Sequence, residues 1–433
     1  MKTKFGIAKV MLMISSMLLL LVIVACSESE ESSSSDSNSN GDVAKLTVWL
    51  WPGMGIEEQI EQYDEEHENV EVEIQLAEFA DVHSNLTTSL AAGSGAPDIS
   101  AVEVKGINKY IGNPQHFVNL FDLGAEEVAD DYLDWKFKQA QTIDGEYLLG
   151  LPTDIGPQAM AYRTDVFEEA GLPTDREEVA ELIQTWEDYI EVGKTIKEKT
   201  GKALIDDAGG LYTVVEGQGE KKYYDAEGNI IIESNEQIDY AYNLATEVIE
   251  SGLESGFEQW STEWGTGMTN GDFATLLAPA WMMGFMQENA PDASGKWDIA
   301  KLPGETSGNW GGSFLTIPEQ SDHPEEAYEL IKWLLSPEQQ LVTFERNGNF
   351  PSTPEIYETD AIQNFKSEYF SGAPVGQIYA EAAKDVSEVL EGPDSITIEE
   401  VLKDAIIRVR DGQGSPEESW QQSIDELERT LGR

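Results

Sequence analysis

The chain has 433 residues, with 27 Lys+Arg against 82 Asp+Glu, a formal net charge of −55 and 40% hydrophobic residues. That length exceeds the roughly 250–300 residues at which single cores stop growing, so two domains or lobes are expected. The apolar content and 11 tryptophans exclude a disordered acidic chain, the charge argues against nucleic acid as a partner, and one cysteine can form neither an internal disulfide nor a multi-thiolate zinc site.

Residues 1–9 carry Lys2, Lys4 and Lys9 and no acid, and Val10–Val24 is apolar apart from Ser15 and Ser16. The run is short for a membrane span, which needs about 20 residues, and suits a signal-peptide core. It ends Leu21-Val22-Ile23-Val24-Ala25-Cys26. An aliphatic residue at −3 and a small one at −1 before the single cysteine resemble a bacterial lipobox. That resemblance implies a lipoprotein signal peptide over 1–25 and a lipid, such as palmitate, on Cys26. Residues 27–42 are Ser, Glu, Asp and Asn with one Gly, which cannot bury apolar surface, so 26–42 reads as a lipidated cysteine and a disordered linker. Acids are dispersed through the rest, which suits solubility in a salty or alkaline medium more than it describes a ligand.

Lys45–Trp51 predicts a strand, with Leu46, Val48 and Leu50 on one face and Thr47, Trp49 and Trp51 on the other. Pro52-Gly53 ends it. Ile56, Ile60 and Tyr63 mark a helix face, Val70–Leu76 alternates as a second strand, and Val82–Ala92 predicts a helix stopped by Gly93-Ser94-Gly95. A third strand segment, Asp98–Val104, opens after Pro97. This β-α-β-α-β series predicts a parallel sheet with crossover helices. Tyr223–Ile232 predicts a hairpin turning at residues 225–229. Ser234 with Gln237 forms a capping-box pattern before Ile238, Ala241, Leu244 and Val248. Phe273–Pro279 reads as a strand. Ser336-Pro337-Glu338-Gln339 and Ser415-Pro416-Glu417-Glu418 each open a helix, with a cap, a first-turn proline and an acceptor at the third position.

Catalytic signatures are missing: there is no G-x-S-x-G, no G-x-x-x-x-G-K-[ST] and no H-E-x-x-H. His67, His83, His116 and His323 lie far apart, and Gly217-Gln218-Gly219 lacks the third glycine of a dinucleotide loop. No cofactor, metal site or catalytic residue is assigned. The 82 acids make any single carboxylate pair uninformative about glycosidase chemistry.

Tryptophan is the unusual resource. Trp49 and Trp51 end a strand, Trp260 and Trp264 flank Ser-Thr-Glu, Trp281 follows Ala278-Pro279-Ala280, and Trp310 precedes Gly311-Gly312. Sugars offer apolar C–H faces for an indole and hydroxyls for carboxylates and amides. Trp51, Trp264, Trp281 and Trp310 are therefore ligand candidates, while Trp135, Trp186, Trp297, Trp333 and Trp420 read as core.

Four segments carry a family resemblance. The first is Gly150-Leu151-Pro152-Thr153-Asp154-Ile155-Gly156-Pro157, followed by Ala161-Tyr162-Arg163-Thr164-Asp165-Val166-Phe167 and Ala170-Gly171-Leu172-Pro173. The second runs from Gly271-Asp272-Phe273-Ala274 to Trp281-Met282-Met283-Gly284. The third runs from Gly311-Gly312-Ser313-Phe314-Leu315-Thr316-Ile317-Pro318 through His323-Pro324 to Leu334-Leu335-Ser336-Pro337-Glu338. The fourth is Asn347-Gly348-Asn349-Phe350-Pro351. In this order they resemble family 1 extracellular solute-binding proteins, the carbohydrate receptors of ABC importers, similar in fold to maltose-binding protein. Thr275-Leu276 departs from the family's usual Ala-Met at that place and bears only on local packing.

The resemblance implies an α/β, two-lobed, periplasmic-binding-protein-like fold (type II) with the ligand in a cleft between lobes joined by hinge crossings. The lobes would comprise 43–154 with about 303–346, and 155–302 with about 347–433. In open α/β sheets ligands sit beyond the carboxyl ends of strands, where Trp49, Trp51, Glu103 and Asp154 fall. The candidate binding residues are Trp49, Trp51, Glu103, Asp154, Trp264, Trp281, Trp310 and Asn349. The expected role is a non-enzymatic, monomeric receptor on the outer face of the cytoplasmic membrane. It would be anchored through Cys26 and would pass an oligosaccharide to ABC permease subunits. The rival readings are a secreted polysaccharide-degrading glycosidase or lyase, and a peptide or metal receptor of similar fold.

Overall fold

The computed structural model describes residues 43–142, 144–225, 228–386, 392 and 394–432. The signal-peptide, Cys26 and linker expectations lie outside the described residues. The strands among the described residues are β1 (Ala44–Leu50), β2 (Val70–Leu76), β3 (Ile99–Glu103), β4 (Gly150–Pro152), β5 (Gln158–Arg163), β6 (Ala203–Ile205), β7 (Phe273–Pro279), β8 (Trp297–Ala300) and β9 (Ser313–Thr316).

They form two sheets, ordered β2-β1-β3-β9-β4 and β6-β7-β5-β8. In the first, β1 runs parallel to β2, with Ala44 opposite Val70 and Leu50 opposite Leu76, and parallel to β3. Crossover helices Glu57–Glu66 and Phe79–Ala92 link these strands, as the alternation in the sequence predicts. β9 comes from far along the chain and inserts antiparallel between β3 and β4, with Thr316 opposite both Ser100 and Gly150. In the second sheet β7 is parallel to β6 and antiparallel to β5. β5 and β7 are buried on both faces and so read as continuous rather than alternating apolar runs. Met160 and Tyr162 face one core cluster, while Ala159 and Ala161 face another.

The core divides along the sheets. One apolar cluster draws on residues from Leu46 to Leu151 and from Phe314 to Leu335. Two others draw on residues from Ile155 to Leu302 and from Phe344 to Leu427. The chain passes between sheets at 153–157, returns through 301–312, and passes again along helix Pro337–Asn347, where Phe344 already packs in a second-sheet cluster.

Two helix starts differ from expectation. The helix expected from Val82 begins earlier, at Phe79; Glu78 makes no side-chain cap and the half-exposed Phe79 lies off the buried stripe of Val82, Leu86 and Leu90, so no local signal marks that start. The helix expected from Ser234 is capped instead by Asn235, whose side chain accepts the Gln237 N–H, while Ser234 closes a 3-10 turn. Ser336 and Ser415 do cap their helices, and Ser415 forms a full capping box with Glu418. Tyr224 and Ile230 pair antiparallel around the expected 225–229 turn, of which residues 226–227 lie outside the described residues.

Candidate functional site

Three candidate residues lie at or just past the carboxyl ends of first-sheet strands, as open α/β sheets favour for ligand sites. Trp51 follows β1. Its half-buried ring lies 5.0 Å from Phe79, edge to face, and 5.2 Å from His83. His83 is held from both sides: Nδ1 lies 2.8 Å from the Phe79 carbonyl, and the Glu103 N–H donates to Nε2 at 3.1 Å. This requires the neutral Nδ1–H tautomer, and burial holds the imidazole below its usual pKa. Glu103 ends β3 and caps helix Val104–Ile111, its Oε2 accepting the Lys105 N–H at 2.8 Å.

Asp154 lies just past β4, on the first crossing. Its Oδ1 accepts from Thr153 Oγ1 at 2.6 Å and from the Ser313 N–H at 3.0 Å, so it ties one crossing to the strand that receives the other. Burial raises its carboxyl pKa, and Thr153, the Lys136 ammonium and the Ser313 N–H partly offset that rise. Lys136 is fully buried, with its ammonium 4.1 Å from the centre of the Phe314 ring. Gly312, at φ +87°, gives this group room: a methyl there would meet the Asp154 carbonyl at 2.6 Å and Lys136 Nζ at 2.8 Å.

The second sheet contributes Trp281, two residues beyond β7. Its indole N–H donates to the Trp310 carbonyl at 2.9 Å, and the Trp310 N–H donates to the Gly156 carbonyl at 2.8 Å. A methyl on Gly156 would sit 1.9 Å from the Trp310 oxygen, so only glycine permits this crossing of strands. A methyl on Gly311 would sit 3.4 Å from Trp281 Nε1 and 3.9 Å from Glu103 Oε1. Glu103 of the first sheet and Trp281 of the second therefore both border Gly311. Trp310 stands edge-on to Trp281 at 5.6 Å, and Trp260 stacks on it at 6.0 Å and 21°. Trp51, His83, Glu103, Trp281, Trp310 and Trp260 thus form one aromatic and acidic row spanning both sheets.

The expectation for Trp264 is corrected. It has no exposed surface, and its indole N–H donates to buried Asp206 at 3.0 Å. Trp260, which the sequence reading left unassigned, is 52% exposed and takes its place. The signal was Ser261: it caps helix Thr262–Asn270, so Trp264 enters the first turn facing the core while Trp260 lies outside the helix. Trp49 is not brought to the row; its indole N–H bonds Gln75 on neighbouring β2 at 2.9 Å. Asn349 uses its amide to hold the Gly53 and Met54 carbonyls, at 3.0 and 2.9 Å, which fastens the loop after β1 to the last crossing. Among the described residues no group of three or more His, Cys, Asp or Glu is arranged to hold a metal, and no helix is long and apolar enough to cross a membrane.

Such a site offers indole faces and hydrogen-bonding groups. Known proteins agree with that chemistry. The chain is 26% identical over 366 residues to the arabinooligosaccharide-binding protein of Halalkalibacterium halodurans, covering 80% of each. It is 28% identical over 371 residues to the lactose-binding protein of Rhizobium radiobacter, covering 81% of this chain and 84% of that one. A crystal structure of an extracellular solute-binding protein of family 1 superposes with a TM-score of 0.83 at 37% identity, over 89% of this chain and 99% of that one. The architecture is the two-lobed α/β fold of type II periplasmic binding proteins. Residues 53–341 match the family model of the bacterial extracellular solute-binding protein, and the chain belongs to that family.

Proposed function

We propose that the chain is the carbohydrate-binding component of an ABC importer, taking an oligosaccharide into the cleft between its sheets and delivering it to the permease. The observation that carries this reading is the row from Trp51 through Glu103 to Trp281, Trp310 and Trp260, which offers stacking faces and a carboxylate from both sheets. A row of several indoles suits two or more sugar units, in line with relatives named for arabino-oligosaccharides and lactose. The lobes would be 43–154 with about 303–346, and 155–302 with about 347–433. Ligand binding would favour the closed arrangement by making contacts to both lobes at once. Cys26 would carry the lipid that holds a monomeric receptor at the outer face of the membrane.

A thermal-shift screen with arabinose, arabinotriose, lactose and β-1,6-galactobiose tests this. A true ligand at 100 times its Kd adds about 2.7 kcal/mol of stability. Stabilisation by an oligosaccharide with no release of reducing sugar is the expected result. Failure of the whole panel, or steady product formation, would reject it.

A further inference from the structure

Trp260 has a backbone that its side chain does not favour. Its φ is +69°, in the left-handed region, and among the described residues only Ser371 shares this outside glycine. A bulky residue holds that conformation only where its surroundings impose it. Here both flanks are pinned to one atom. Asp206 Oδ2 accepts from Gln259 Nε2 at 2.9 Å and from the Trp264 indole N–H at 3.0 Å. The Asp206 carbonyl also accepts from Ser255 Oγ at 2.8 Å, and the Ser255 N–H donates to the Ile205 carbonyl at 2.9 Å. The segment that presents Trp260 therefore hangs from the end of β6. Trp260 stacks on Trp281. It also borders an open cleft of about 330 Å³, lined with Ser261, Thr262, Thr266, Thr269, Phe285 and Asn289.

We propose that Asp206 is a positioning residue for the ligand: by holding Gln259 and Trp264 it fixes Trp260 as the outer end of the indole row, where a further sugar unit stacks. This rests on the carbohydrate reading above. Asp206 never touches the ligand; it is 2% exposed.

The clamp is also sensitive to protons. Burial pushes the Asp206 carboxyl up to about 7, the neighbouring charge of Asp207 pushes the same way, and the bonds from Gln259 and Trp264 partly offset both. Asp207 is paired with Arg410 at 3.2 Å, Arg410 also reaches Glu254 at 3.3 Å, and the Tyr189 hydroxyl bonds Thr275 at 2.6 Å. Above about 7 the carboxylate accepts both N–H bonds strongly; below it the neutral acid is a weaker acceptor and the platform loosens. Stability moves the other way. Because the folded value lies above the unfolded one, this group's contribution is full below about 4 and is lost as pH rises through about 7.

The test uses the whole chain, its Asp206→Asn, Gln259→Ala and Trp260→Ala variants, arabinose and arabinotriose as probes, and near-ultraviolet circular dichroism without ligand. The wild-type aromatic signal should change with a midpoint near pH 7. That transition should vanish in D206N and move to higher pH in Q259A, which loses a bond favouring the carboxylate. A flat wild-type signal, or a transition that survives in D206N, overturns the clamp. Arabinotriose affinity should fall roughly fivefold from pH 8.5 to pH 5.5 in the wild type and stay level in D206N. W260A and Q259A should weaken arabinotriose and spare arabinose. Equal effects on both sugars, or none, overturn the role at the ligand. Q259A decides the matter even if D206N fails to fold, since it leaves the buried carboxyl in place. Wild-type protein that binds neither arabinose nor arabinotriose overturns the role of Trp260 toward these sugars, the carbohydrate reading being decided by the wider panel above, while the dichroism transition reports on the clamp separately.

Discussion

Trp264 and Trp281 lie on either side of β7 in the chain and should answer truncation in opposite ways. Trp281 is half-buried, with its N–H on the Trp310 carbonyl and one face toward Trp260, whereas Trp264 has no exposed surface. Trp281→Ala should weaken oligosaccharide binding by about 2 kcal/mol, roughly thirtyfold, with a modest fall in melting temperature. Trp264→Ala should cost about 3–5 kcal/mol of stability instead. Calorimetric titration beside melting curves separates the two, and a collapsed melting temperature with unchanged affinity would remove Trp281 from the site. Cys26→Ser should leave the chain unlabelled by a fatty-acid probe in cells, and retained label would exclude Cys26 as the acylation site. The sequence marked the indoles near turns as ligand candidates. It did not say which indole faces the cleft, since Trp260 and Trp264 lie on either side of the same cap.

At the scale of elements, local chemistry was the readable part. β2 coincides with the alternating run Val70–Leu76, and the Ser336 and Ser415 caps act through atoms only three residues away. The insertion of β9 between β3 and β4 was not readable, because its partners lie far away in the chain and no local pattern names them. Crossings tolerate little change. Gly156→Ala would place a methyl 1.9 Å from a backbone oxygen of Trp310, which cannot swing aside. It should cost about 1–3 kcal/mol by overpacking, and it should also weaken binding, because Trp281 is anchored to that same oxygen. A variant as stable as the wild type would show that the two crossings are not held in this register.

At the scale of the whole molecule a half-buried ion pair joins the two sets of clusters. Lys105, at the start of the helix after β3, meets Glu399 of helix Ser395–Arg410 at 2.9 Å, and Lys403 meets the same carboxylate at 2.8 Å. Burial alone would raise the Glu399 pKa, but the ammonium groups of Lys403, Lys105 and Lys222 outweigh it and hold the carboxyl well below its usual range. A depressed folded value means that this contribution is present above about 4.5 and is lost as pH falls toward the folded value. Glu399→Gln should remove the attraction between lobes, so ligand-free protein should show a larger radius of gyration by small-angle scattering while saturating ligand restores the wild-type value. No change in scattering would mean that the pair does not restrain opening. The most direct test of the central claim is calorimetric titration of the whole chain with arabinotriose, lactose and β-1,6-galactobiose, beside Trp281→Ala, with the sugars recovered afterwards by chromatography. The account predicts saturable one-to-one binding of at least one oligosaccharide, recovered intact, and weakened about thirtyfold in the variant. Absence of binding heat for every oligosaccharide, or recovery of cleaved product, would contradict it.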